Sequence, residues 1–118
     1  MTFNFTFDSY TGHVTIAEGS TEIPAAAFYE RSEVRSVTIP DGVTTIGRRA
    51  LSSNQLTSVV IGDGVTTIGG SASNGNQLTS VVVPDSVTTI GASAFSANQL
   101  TSVVIGDGVT SIGDYAFR

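Results

Sequence analysis

Residues 56–69 read LTSVVIGDGVTTIG, and residues 100–113 repeat them as LTSVVIGDGVTSIG, with Ser111 in place of Thr67. Residues 78–91 read LTSVVVPDSVTTIG, and residues 34–47 read VRSVTIPDGVTTIG. A constant 22-residue period puts Asp41, Asp63, Asp85 and Asp107 in one column and Ile46, Ile68, Ile90 and Ile112 in another. A fixed short period of this kind is the signature of a solenoid, in which each unit buries its apolar face only against its neighbours. The β-branched stretch 57–61 predicts a short strand. Gly62-Asp63-Gly64 and Pro84-Asp85-Ser86 are turn chemistry, and 65–68 is a second extended piece. Identical strands at constant spacing, each returning by a path of similar length, must stack in parallel about 4.8 Å apart.

Working outward, the repeats run 34–55, 56–77, 78–99 and, in part, 100–118. Upstream, 14–33 reads as a divergent first unit: Val14-Thr15-Ile16 matches Val37-Thr38-Ile39, and Ile23 matches Ile46 at an interval one position longer than the regular one. Residues 1–16 alternate Phe3, Phe5 and Phe7 with polar residues, then turn through 9–12, which predicts a β-hairpin capping the solenoid of 14–118. Its Phe face is expected to lie over the first regular repeat. From Gly69 and its equivalents a helical or 3₁₀ turn is expected, ending near Asn54, Asn76 and Asn98, a residue type that tolerates left-handed backbone. The fold class is therefore a β-rich (α/β) solenoid of about five coils with short parallel strands.

The shared pattern Leu-x-x-Val-x-Ile-(Pro/Gly)-Asp-x-Val-x-x-Ile-Gly-x-x-Ala-Phe resembles BspA-type leucine-rich repeats over roughly 14–118. The resemblance implies a concave face lined by strands such as 57–61, with the Ala-Phe turn on the convex side. It also implies a surface-exposed bacterial or protist protein associated with adhesion and protein binding. Two columns depart from the family pattern. Asn54 and Asn98 stand where a Cys is common, and the Phe of Phe95 and Phe117 becomes Leu51 and Ser73 in two repeats. Around Ser73 two readings stand open: a thin, mobile convex loop, or a notch for a partner where the ring is missing.

Composition narrows the chemistry. There is no Cys and no Lys, and the net charge of −5 argues against nucleic acid, which needs a basic patch to neutralise phosphates. Four of the five arginines, Arg31, Arg35, Arg48 and Arg49, form a modest local cluster. No run of about 18 apolar residues is present to span a membrane, and no secretory signal is visible at the N-terminus. His13, the one histidine, sits in the hairpin with no Cys or suitably spaced acid, so no catalytic group is expected. The Asp column reads as turn-capping residues, with calcium the alternative, and no cofactor is expected.

What remains is a surface. With Val59 and Ile61 inward, the outward residues are Ser58 and Val60, Ser80 and Val82, Ser102 and Val104. Ser36 and Thr38 continue those columns, and Arg35 begins the neighbouring one. This face is the expected protein-binding site, its partner unidentified. Threonine columns at 44, 66, 88 and 110 and at 57, 79 and 101 suggest a second class, an ice-binding solenoid. Finally, Leu100, Val103, Ile105, Val109, Ile112 and Phe117 are expected to lie open on the last coil, so the chain is either part of a longer array or a homodimer through that coil.

Overall fold

The protein's structure, a computed structural model, describes residues 3–118. The hairpin expectation for 1–16 thus includes two residues outside the described ones. Strands β1 (Phe5–Asp8) and β2 (His13–Ile16) pair antiparallel, with Phe5 opposite Ile16 and Asp8 opposite His13. From β2 onward every pairing is parallel. The repeat period appears as two stacks of strands. One holds β2, β4 (Ser36–Thr38), β6 (Ser58–Val60), β8 (Ser80–Val83) and β10 (Ser102–Ile105). The other is a continuous five-stranded sheet of β3 (Glu22–Ile23), β5 (Thr45–Ile46), β7 (Thr67–Ile68), β9 (Thr89–Ile90) and β11 (Ser111–Ile112).

Each coil turns its period-2 apolar positions into the space between the stacks. Val14, Val37 and Val81 of the first stack are buried, as are Ile23, Ile46, Ile68 and Ile90 of the second. Leu56, Leu78, Val65, Val87, Phe28 and Phe95 complete a narrow apolar ribbon. The Phe-rich cap lies one coil earlier than the sequence predicts. Phe5 packs edge-on against Phe28 of the divergent unit at 4.8 Å between centroids, and Phe3 does so at 5.9 Å. Phe28 is the first large ring in the column, so it is the surface an incoming aromatic can cover.

The return path is where expectation and structure part. No helix forms among the described residues; the segment after each Gly69 equivalent is a run of tight turns. Ala50, Ala72 and Ala94 each donate a backbone N–H to the Gly at the start of the turn, Gly47, Gly69 and Gly91. The third residue of each such turn, Arg49, Ser71 and Ser93, has φ between 56° and 58°. Left-handed backbone costs a non-glycine residue about 1–2 kcal/mol. Hydrogen bonding between coils offsets it: Arg49, Leu51 and Ser53 donate to the carbonyls of Gly70, Ala72 and Asn74, and the next coil repeats the pattern. A helix would turn those N–H groups inward to its own carbonyls and leave the coils unlaced.

The left-handed residues near the end of the turn are Ser53, Gly75 and Ala97, not the asparagines that follow them. The asparagines have a different role. Asn76 is buried, accepts from Leu56 N–H through Oδ1 at 3.0 Å, and donates to the carbonyls of Leu51 and Ser73 at 2.9 and 3.0 Å. Asn98 repeats this with Leu78, Ser73 and Phe95. Asn54 donates likewise to Phe28 and Leu51, but its Oδ1 is buried without a partner. In the longer first unit, Val34 N–H already donates to the Arg31 carbonyl.

The first stack is not continuous. It divides into β1-β2-β4-β6 and β8-β10, with β6 and β8 side by side but unpaired. Thr57 N–H reaches Arg35 and Thr101 N–H reaches Thr79, yet Thr79 makes no such bond to Thr57. Ile39 donates to Val60, whereas Ile61 does not donate to Val82. The cause lies in the turn. A Cβ on Gly64 would overlap the Asp41 carbonyl oxygen, and one on Gly108 would overlap that of Asp85. A Cβ on Gly62 would stand 2.5 Å from the Ile39 oxygen. The coil between carries Pro84 and Ser86 at these two positions, so it cannot sit as close to the coil before it. The seam is local, because Gly91 on the same coil still packs tightly against Gly69 and Gly70.

Candidate functional site

The outward face of the first stack is ordered by strand register. His13, Ser36 and Ser58 align, as do Ser80 and Ser102. The next outward column runs Thr15, Thr38, Val60, and then Val82 and Val104. Val60, Val82 and Val104 are 57%, 60% and 54% exposed, so more than half of each apolar side chain meets water. Ser58, Ser80 and Ser102 are exposed beside them. Arg35 is exposed just ahead of β4.

Two of the expected face residues are less open. Ser36 and Thr38 are half-buried because His13, one coil earlier, lies across them. Its Nδ1 is 2.5 Å from Ser36 Oγ, and its Nε2 is 3.2 Å from Thr38 Oγ1. In sequence His13 stands in the hairpin with no Cys or suitably spaced acid beside it. Its register opposite Ser36 makes it the polar end of the serine column.

Three grooves follow the C-terminal ends of these strands. One of about 410 Å³ is lined by Glu18, Thr38, Pro40, Asp41, Val60 and Asp63, among others. A second, about 290 Å³, lies over the seam, between Ser58, Val60, Asp63, Ser80, Val82 and Pro84. The third, about 560 Å³, includes Asp63, Val82, Asp85, Val104 and Asp107. The Asp column therefore borders the valine column. Asp41 and Asp85 each accept, through Oδ1, the backbone N–H of the next Asp in the column, at 2.8 and 2.7 Å. These bonds differ from the expected capping of each residue's own turn: two of the four carboxylates reach the turn of the neighbouring coil instead. Among the described residues no group of three His, Asp or Glu side chains is placed to hold a metal ion.

The threonine columns are engaged in the fold itself. Thr66, Thr88 and Thr110 hydroxyls donate to the carbonyls of Thr44, Thr66 and Thr88 at 3.1–3.2 Å, and Thr44 donates to Thr21. Thr57 and Thr101 do the same toward Arg35 and Thr79. Ser73 is buried, and its loop keeps ladder bonds to both neighbouring coils, from Leu51 to Ala72 and from Ser73 to Ala94. On the last coil Ile105 and Ile112 are 38% and 50% exposed. Leu100, Val103, Val109 and Phe117 are partly buried against the core, with Phe117 stacked on Phe95 at 5.5 Å. No described helix is long and apolar enough to cross a membrane.

Stacked parallel coils of constant period, with an inner ribbon of valine, leucine and isoleucine, define a leucine-rich-repeat solenoid. The chain belongs to the BspA type leucine rich repeat family, whose pattern matches residues 3–118 in six copies. Among solved structures it is similar to the Treponema pallidum leucine-rich repeat protein, at 26% identity and a TM-score of 0.77. That match covers 98% of this chain and 64% of the other. A leucine-rich repeat protein from Eubacterium ventriosum shares the fold at 23% identity and TM-score 0.82, covering 94% of this chain and 37% of that one. The pneumococcal vaccine antigen PcpA does so at 16% identity and TM-score 0.69, covering 98% and 45%. The chain thus spans under two thirds of each of these structures. No curated protein matches in sequence.

Proposed function

We propose that this chain is a non-catalytic, adhesion-like protein-binding module that engages its partner on the outer face of the first strand stack. The contact residues are Arg35, Ser36, Thr38, Ser58, Val60, Ser80, Val82, Ser102 and Val104. The observation that carries this reading is the column of three valines, each more than half exposed, on the outward face of neighbouring strands β6, β8 and β10. Contiguous exposed apolar side chains of this kind mark interaction sites. The face holds no Trp, Tyr or Phe and a single Arg, the types that dominate tight interfaces, so affinity per module is low and multivalent display raises it. Placement at a cell surface, implied by the family, is part of the proposal. Capture of purified host matrix proteins on immobilised chain tests it. Val60, Val82 and Val104 replaced together by Glu should abolish capture with the circular dichroism spectrum unchanged; undiminished capture refutes the face.

Self-association belongs to the same proposal. Leu100, Val103, Ile105, Val109, Ile112 and Phe117 form the outer surface of the last coil, and β10 offers unpaired backbone groups at its edge. Two copies joined there about a two-fold axis would cover Ile105 and Ile112. Sedimentation at micromolar concentration should show a dimer that Ile105→Lys dissociates; a wild-type monomer with an ordered last coil removes this part.

A further inference from the structure

Glu18 precedes Asp41 by the same interval that separates Ile23 from Ile46, so it extends the acid column through the divergent unit: Glu18, Asp41, Asp63, Asp85, Asp107. All five are exposed, and all border the three grooves along the valine column. No arginine lines those grooves. The column is not uniform. Asp41 and Asp85 are held by the backbone N–H of the following coil, while the carboxylates of Glu18, Asp63 and Asp107 have no protein partner among the described residues. The alternation has the same origin as the seam. A Gly-Asp coil (Gly62, Gly106) can approach the Pro-Asp coil before it (Pro40, Pro84) closely enough to bond its Asp, and the reverse order cannot. Free carboxylates therefore recur at every second coil: about 9.6 Å separates Glu18 and Asp63, whose strands pair throughout at ~4.8 Å, and the seam makes the Asp63 to Asp107 interval somewhat longer.

Resting on the binding face proposed above, we infer that its partner is a basic, extended peptide segment with a cation at every third residue, lying along the valine column and perpendicular to the strands. A polyproline-II segment rises about 3.1 Å per residue, so same-facing residues three apart recur at about 9.3 Å. That repeat matches the interval from Glu18 to Asp63, and Asp107 follows at the next free position beyond the seam. The intervening residues rest on Val60, Val82 and Val104. Over the seam, the segment also meets Ile61 N–H and Val82 C=O, which lack the ladder bond that Ile39 and Val60 make. Like charges about 5 Å apart repel by about 1 kcal/mol in water, and a cationic partner relieves this.

The test is fluorescence-anisotropy titration of the full chain with a labelled Lys-Val-Pro repeat peptide. A Gln-for-Lys counterpart and a peptide with the same number of lysines at alternate positions serve as comparisons. The Lys-Val-Pro peptide should bind most tightly, with affinity falling as salt rises. Glu18→Gln, Asp63→Asn and Asp107→Asn together should weaken it by about tenfold without lowering the thermal midpoint. Equal binding of the Gln peptide, of the alternate-lysine peptide or by the triple variant overturns the inference, as does failure of the Lys-Val-Pro peptide to bind. Val60, Val82 and Val104 replaced by Ser separate this from the parent reading. If they lose matrix-protein capture while the charge variant keeps it, only the basic-partner inference fails. If the charge variant loses peptide and the valine variant loses nothing, the attraction is diffuse and both readings fail.

Discussion

Gly64→Ala should open a second seam, this one between β4 and β6. Gly64 lies outside the left-handed region, so the glycine is there for room and not for φ. An added Cβ would overlap the Asp41 carbonyl oxygen, and backbone on both sides leaves only separation of the coils as relief. The bonds at risk are Ile39 N–H to Val60 at 2.9 Å and Asp63 N–H to the Asp41 carboxylate at 2.8 Å. A neutral bond contributes about 1 kcal/mol and one to a charged group about 1.5–3, giving a loss of about 3 kcal/mol. Reduced unfolded-chain entropy returns about 0.4–1 kcal/mol, leaving a net destabilisation of about 2–3 kcal/mol. Gly42 holds the same place in the preceding coil, but there a Cβ would stand 3.5 Å from the Ser20 oxygen. Gly42→Ala should therefore be neutral to slightly stabilising. Urea unfolding of both variants, with amide exchange at Ile39 and Asp63, measures the difference. Equal stability of the two variants would refute the packing account of the seam.

The reverse change follows from the same geometry: Pro84→Gly with Ser86→Gly should close the existing seam and slow amide exchange at Ile61 and Thr79. It also removes the Ser86 Oγ, which is buried without a partner. Asn76→Ala should cost about 1–3 kcal/mol in urea unfolding, because Leu56 N–H is left buried without its partner, while the Leu51 and Ser73 carbonyls keep the amides of Asn54 and Asn98. Asn54→Ala, which forfeits donors only, should cost measurably less in the same assay. Phe28→Ala should remove about 3–5 kcal/mol and expose the cap, read as loss of the near-ultraviolet aromatic signal with the second sheet retained.

The repeat, its period and the buried columns were legible in residues 56–69 and their copies. Apolar periodicity is a local property, and stacking leaves each unit one way to bury it. The outward valines followed from the same alternation, since side chains in a strand point to opposite faces. What the sequence did not show depended on how closely neighbouring coils approach. A helical turn after Gly69 was a fair reading of local propensity, but lateral bonds between coils select left-handed turns at Arg49, Ser71 and Ser93. The asparagines looked like turn residues, yet their amides serve carbonyls up to 26 positions away in the chain. His13 has no partner near it in sequence, and only strand register places it on Ser36 and Thr38. The alternation Pro40, Gly62, Pro84, Gly106 was visible all along, but it acquires meaning only in three dimensions. Whether a Cβ or a proline ring fits there is decided by the backbone of the neighbouring coil, a full repeat distant in the chain and in van der Waals contact in the fold.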